Sequence, residues 1–217
     1  MQVAYLLYER FTALDITGPH DVLNSVPGTD SVFVAESTGP VRNDSVPWQS
    51  SPTAPWTRSW RLTSSSSPAV SAHACCSSTN HCCRGFAACT RPPRGRLQSA
   101  PGSLLLAAAG LLDDTPATTH WLARDTLASL GARPVPDRVV QYGKIITAAG
   151  VSSGIDMALR LVQRMHGDEA AQAIQLGIEY DPEPPFDAGS PEKAPPAIVE
   201  TVTAVFGALE AELRATG

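Results

Sequence analysis

Residues 2–8 form an apolar run, Gln2-Val3-Ala4-Tyr5-Leu6-Leu7-Tyr8, with little alternation. That pattern suits a strand buried on both faces, as in a parallel sheet. A helix is predicted next, opening in Leu14-Asp15-Ile16-Thr17-Gly18-Pro19 and running to about Val26 before Pro27-Gly28. Pro19 fits a first helical turn, and Thr17 or Asp15 fits the cap. Residues 31–36, Ser-Val-Phe-Val-Ala-Glu, read as a second strand. A chain that begins β-α-β predicts a right-handed crossover and a parallel sheet.

Regular patterning returns near Gly102. Residues 103–112 are strongly apolar and predict a helix ending at Gly110-Leu111, and residues 117–120 a short strand. Residues 121–130 are amphipathic and stop at Gly131. Residues 138–142 and 144–148 flank Gly143, the pattern of a hairpin or tight turn. A helix over 155–166 shows Ile155, Ala158, Leu159 and Val162 on one face, and another over 168–177 has Asp168 as its expected N-cap. Residues 181–185 and 189–196 form a proline-rich, non-helical strap, and a last helix spans 197–214.

Composition changes the picture of the middle. The chain has 217 residues, a net charge of -5 and 43% hydrophobic residues. This is ample for a substantial core, and it is too acidic for nonspecific nucleic-acid binding. No secretory signal is expected from the first residues, and no stretch approaches the ~18 apolar residues of a membrane span, so a cytoplasmic protein is expected. Yet between Asp44 and Asp113 there is no acidic residue, and Cys75, Cys76, Cys82, Cys83 and Cys89 all fall there. Ser64-Ser65-Ser66-Ser67 and Arg91-Pro92-Pro93-Arg94 add to the anomaly. Adjacent cysteines do not suit a zinc site, which prefers a gap between ligands, so a cluster of His73, Cys76, His81 and Cys82 is not expected. The arginines at 84–96 read as a solvated loop rather than a nucleic-acid patch.

Two readings of 46–101 stand side by side, a real, divergent insert and a displaced reading frame, and the composition favours the second. Reading the last base of one codon with the first two of the next turns every TCN serine codon into Leu, Val, Ile or Phe. Cys76, Cys82 and Cys83 are then forced to Leu, and Cys75 and Cys89 become Leu, Val or Met. Ser64 to Ser67 become an apolar strand, and Gln98-Ser99-Ala100-Pro101-Gly102 permits Thr-Val-Cys-Thr-Gly. As it stands, the segment is expected to supply neither a central strand, nor its covering helix, nor the turn that follows.

The two ends carry a resemblance. Phe11-Thr12-Ala13-Leu14-Asp15-Ile16-Thr17-Gly18-Pro19, Val34-Ala35-Glu36 with Gly39-Pro40-Val41-Arg42, and Gly102-Ser103-Leu104-Leu105-Leu106-Ala107-Ala108-Ala109-Gly110-Leu111-Leu112 belong to it. So do Ala117-Thr118-Thr119-His120-Trp121, Ala149-Gly150-Val151-Ser152-Ser153-Gly154-Ile155-Asp156, and Gln175-Leu176-Gly177-Ile178-Glu179-Tyr180-Asp181-Pro182. These stretches resemble the DJ-1/PfpI superfamily and, within it, isonitrile hydratases. The resemblance implies one domain with a flavodoxin-like, doubly wound, mostly parallel α/β sheet, of the class I glutamine amidotransferase-like type. It implies a homodimer, a small-molecule substrate and no metal or organic cofactor, with no nucleic-acid or membrane partner.

It also implies a cysteine nucleophile at a strand-to-helix elbow, assisted by a carboxyl group. Residue by residue, the carboxyl falls on Asp15, the nucleophile slot on Ala100 and the superfamily's elbow histidine on His120. Pro101, Gly102, Gly150 and Val151 fall around the substrate. Ala100 has no sulfur and Pro101 stands where threonine is expected, so the chain as written lacks the nucleophile. Each position has a plainer reading. Asp15 suits a helix cap, His120 beside Trp121 suits a packed core, and Gly150 suits a helix start. A noncatalytic binding or sensor module, or another DJ-1-type stress or glyoxalase activity, remains open beside the hydratase.

Overall fold

The computed structural model describes residues 1–8, 10–35, 38–43, 49–50, 54–55, 69–72, 96–98 and 102–216. They form two compact units, Met1–Tyr180 and Asp181–Gly217. The first is built on a seven-stranded sheet. Its strands are β1 (Gln2–Leu6), β2 (Asp30–Ala35), β5 (Ala54–Pro55), β6 (Ala69–Ala72), β7 (Arg96–Gln98), β10 (Val139–Tyr142) and β11 (Ile145–Ala148). Their order is β10-β11-β7-β6-β1-β2-β5, and all neighbours are parallel except the β10–β11 hairpin. Two short pairs complete the strands: β3 (Val41–Arg42) with β4 (Gln49–Ser50), and β8 (Pro116–Ala117) with β9 (Arg133–Pro134).

The helices are α1 (Ala13–Asn24), α2 (Gly102–Ala108), α3 (Arg124–Ser129), α4 (Ser153–His166) and α5 (Asp168–Gly177), with a 3-10 turn at Trp121–Ala123. They cover the sheet on both sides. One apolar cluster joins Val3, Tyr5 and Ile146 to Ile16, Val22, Leu23, Met157, Ala158 and Leu161 of α1 and α4. A second joins Leu6 and the partly buried Val34 and Ile145 to Leu105, Leu106 and Leu127 of α2 and α3. Neighbours along β1, Tyr5 and Leu6, thus enter opposite layers, which explains why its sequence does not alternate. Each fully buried Leu or Val contributes about 1.5–3 kcal/mol. The second unit contains the strap and α6 (Pro196–Thr216), where the strap's Lys193 pairs with Asp187 at 2.6 Å. No helix among the described residues is long and apolar enough to cross a membrane.

Several local expectations are corrected. The N-cap of α1 is Thr12, in extended backbone, so Asp15 is the third helical residue and neither it nor Thr17 caps. Pro19 lies inside the helix, one turn beyond Asp15, and is buried against the core. Asp168 is the first residue of α5; the cap is Gly167, at φ 88°, while Asp168 Oδ1 accepts from Gln163 Nε2 at 3.0 Å. The strand expected over 117–120 ends at Ala117, because the next amide, Thr118 N–H, donates to the Thr147 hydroxyl at 3.0 Å instead of to a backbone carbonyl. The middle supplies central strands after all: β6 lies beside β1, and β7 joins it to β11. Sheet pairing uses backbone groups, so short unremarkable sequences such as Ala-Val-Ser-Ala suffice for it.

The hairpin is as expected. Gly143, at φ 58°, takes the first loop position, which type II′ turns reserve for glycine.

Gly18 sets the spacing of α1 against α4. A Cβ there would lie 2.9 Å from Ile155 Cγ1 and 3.6 Å from Leu14 Cδ1. Ile155 Cγ1 is held by its branched neighbour and by the helix, so it cannot swing away as a long flexible tip would. Gly18→Val is therefore expected to destabilise the fold by about 2–3 kcal/mol, as overpacked cores do. Urea denaturation, read as a lowered midpoint at unchanged slope, checks this.

Candidate functional site

In a parallel sheet all C-terminal strand ends lie along one edge, and the segments leaving that edge form the crevice where ligands bind. Three such segments carry the residues singled out by sequence. After β1 comes the first turn of α1, with Asp15. After β7, the chain passes from Gln98 to the start of α2 at Gly102 within three residues. After β11 comes the turn Ala149-Gly150-Val151-Ser152 that starts α4. Ala100 and Pro101 lie outside the described residues; their described flanks are the end of a strand and the start of a helix.

His120 is brought to the same edge through Thr118 and Thr147. Thr147 is in register with Gln98, the last residue of β7, and its hydroxyl receives the Thr118 amide. Thr118, Thr119 and Thr147 are buried. Two residues on, His120 caps the 3-10 turn, its Nδ1 accepting from the Leu122 amide at 3.4 Å. An acceptor at Nδ1 places the proton of the neutral ring on Nε2. Gly150 faces the same ring: a Cβ on Gly150 would come 3.8 Å from His120 Cδ2. Trp121 lies alongside, ring centroids 5.8 Å apart.

Burial of the His120 ring lowers its pKa from 6.5, and the nearby Arg124 lowers it further. The ring is thus kept neutral. Below pH 6.5 the unfolded chain takes up a proton that the folded chain refuses. This group's contribution is therefore fully present above pH 6.5 and is lost as pH falls toward the lower folded value. Comparing urea stability of the chain and of His120→Gln between pH 7.5 and 5 is expected to show a steeper acid loss in the unsubstituted chain. Parallel curves would contradict it.

Asp15 is 1% exposed in the first turn of α1. A carboxyl group there is near the positive end of the helix dipole. Burying it removes the simplest reason for an acid at a helix start, namely solvent-exposed capping. Gly102 and Ser103 are also buried, at the start of α2. The structure thus turns Gly150 toward the His120 ring, puts Val151 in the same turn, and sets Asp15 and Gly102 at the heads of helices leaving the same sheet edge.

A polar cluster that sequence reading did not single out lies beside this turn. The Arg138 guanidinium donates through Nε to Asp156 Oδ2 and through Nη2 to Ser152 Oγ, the latter at 3.3 Å. The Tyr180 hydroxyl donates to the other oxygen, Asp156 Oδ1, at 3.1 Å. Burial raises the Tyr180 pKa, and the Asp156 carboxylate raises it further. The only sequence signal was Asp156, an acid in the first turn of a strongly amphipathic helix. Tyr180 lies in one of the stretches that carry the resemblance, without a role assigned to it, and Arg138 gave no signal. Among the described residues no group of three His, Cys, Asp or Glu side chains is placed to hold a metal ion. The cysteines and the weighed His73, Cys76, His81, Cys82 cluster lie outside those residues.

The DJ-1/PfpI family model matches residues 99–164. The chain is 38% identical over 200 residues to isonitrile hydratase of Pseudomonas putida, an alignment covering 92% of this chain and 87% of that protein. It is 40% identical over 81 residues to the HTH-type transcriptional regulator CdhR of Pseudomonas aeruginosa, covering 36% of this chain and 24% of the regulator. The crystal structure of a THiJ/PfpI family protein from Pseudomonas syringae superposes with a TM-score of 0.85 at 33% identity, covering 95% of this chain and 86% of that one.

Proposed function

This chain belongs to the DJ-1/PfpI family, with its flavodoxin-like α/β fold, and from that premise we propose that its ancestral chemistry is the hydration of an isonitrile to an N-substituted formamide. The similarity to isonitrile hydratase across nearly the whole chain carries this reading. The buried Asp15, at the same sheet edge as the C-terminal end of β7 and the start of α2, supports it. In the proposed reaction a cysteine thiolate in the Ala100 slot attacks the terminal isonitrile carbon. That carbon takes up a proton delivered through Asp15, giving a neutral thioimidate. Water then adds to the same carbon, the nitrogen is protonated, and the C–S bond breaks. The products are the formamide and the regenerated thiol. A cysteine at the head of α2 would have its thiolate favoured by the helix dipole. His120, held neutral against Gly150, closes the side of the site opposite Asp15 in this reading, and Pro101, Gly102 and Val151 complete the pocket.

The same reading makes the chain as written inactive, for Ala100 supplies no sulfur. We assign that loss to a displaced reading frame across 46–101, and we place the protein as a cytoplasmic homodimer acting on a small molecule without metal or organic cofactor. Sequencing the coding DNA across codons 44 to 103 tests the frame: two compensating single-base changes are expected. A second reading is favoured by one observation, the 40% identity to a segment of a transcriptional regulator. On that reading the fold is a noncatalytic small-molecule sensor, and Ala100 is its native residue. An unaltered frame, together with no formamide from an Ala100→Cys variant, selects the sensor.

A further inference from the structure

Resting on this reading of the site, we propose that Arg138 is its positioning residue: it holds the Ala149–Ser152 turn from both ends and so sets the wall that Gly150 presents to His120. The argument is geometric. Arg138 precedes β10, and its backbone carbonyl accepts from the Ala149 amide at 2.9 Å, adding one rung to the hairpin just before Gly150. Its side chain reaches past the turn to Ser152 Oγ and Asp156 Oδ2 just after it. One residue therefore brackets Gly150 and Val151 in space while lying a dozen positions away in sequence.

The start of α4 lacks a side-chain cap. Ser152 is its N-cap, but its hydroxyl makes no capping bond to the helix amides. It serves as the acceptor for Arg138 instead. Within the turn, Ser153 binds the Gly150 carbonyl twice, through its amide at 2.9 Å and through its hydroxyl. That makes the turn a rigid unit, and what remains to be set is where the unit sits. Arg138 supplies that setting, and Tyr180, bonded to the far oxygen of Asp156, keeps the carboxylate turned toward it. The Arg138 and Asp156 side chains are 49% and 26% exposed, so the ion pair adds little to global stability. Its effect is on position, which a planar guanidinium reaching two acceptors at once fixes more fully than an ammonium does.

The test uses the full chain. Arg138→Met, Arg138→Lys and Tyr180→Phe are compared by amide hydrogen exchange over residues 150–154 and by the NMR resonance of the His120 Cδ2 proton, the ring position facing Gly150. Expected is at least a tenfold faster exchange in Arg138→Met, with a displaced His120 resonance and little change in the unfolding midpoint. Arg138→Lys is expected to restore part of both, and Tyr180→Phe to shift both the same way by less. A folded Arg138→Met with unchanged exchange and an unchanged His120 resonance overturns the proposal; should that variant not fold, the same result in Tyr180→Phe does. Turnover of an isonitrile by a cysteine-restored chain is read separately. Its absence alongside the shifted resonance overturns the hydratase reading and supports the positioning role.

Discussion

A cysteine in the slot of Ala100, supplied by restoring the frame across 46–101, is expected to raise formamide production from a simple isonitrile by at least about 10³-fold over the chain as written. The size follows from what a nucleophile does. Removing one from an enzyme that forms a covalent intermediate leaves only binding and electrostatics, and losses of ~10⁶ are known for such residues. A thiolate at position 100 gives both the attack on carbon and the later departure. Alanine offers neither, and among the residues described around the sheet edge none is a cysteine. Product formation is followed by chromatography of the formamide. Equal background rates from the two chains would remove the hydratase reading. A rate restored by Ala100→Cys alone would show that the surrounding segment matters less than the sulfur.

The second large effect is expected at Asp15. In the cysteine-restored chain, Asp15→Asn is expected to lower kcat by about 10²–10⁴-fold, the usual contribution of a positioned proton-transfer group. The same substitution separates proton transfer from a purely structural role, because asparagine remains a polar, hydrogen-bonding side chain of the same shape. It also keeps the volume and most of the polarity of the buried side chain, which limits the structural disturbance. What it cannot do is gain and lose a proton. Measuring kcat together with the urea midpoint checks both halves: a collapsed rate at a nearly unchanged midpoint supports the proton-transfer role. A retained rate would assign Asp15 to structure alone.

Much of this fold was legible because its signals are local. The unbroken apolar run at Val3–Tyr8 announced a strand buried on two faces, and Tyr5 and Leu6 enter opposite layers. The Gly143 turn announced its hairpin. Caps were less legible. Asp15 and Asp168 both look like caps, yet the structure assigns the caps to Thr12 and Gly167, since a cap is defined by where the backbone leaves extended or left-handed geometry. The central strands β6 and β7 were hidden because Ala-Val-Ser-Ala and Arg-Leu-Gln have no pattern of their own; pairing with β1 and β11 makes them strands. At the site, Asp15, His120 and Gly150 were singled out through motif resemblance, and the structure sets them along one sheet edge. The Arg138–Asp156–Tyr180 cluster was not, because three residues from three elements meet only once the chain has folded.

The sheet also has a seam. β6 runs beside β1 over four residue pairs, and β7 runs beside β11 over three, while among the described residues β6 and β7 pair at Ala72 and Leu97. To one side lies the early β-α-β unit, closed over short sequence distances; to the other lie the hairpin and the helices that follow it. Each half can assemble quickly from near neighbours, whereas the seam requires distant strands to find each other. The two sides are therefore expected to join late in folding, while in the folded chain the packing of α1 against α4 holds them together across the seam.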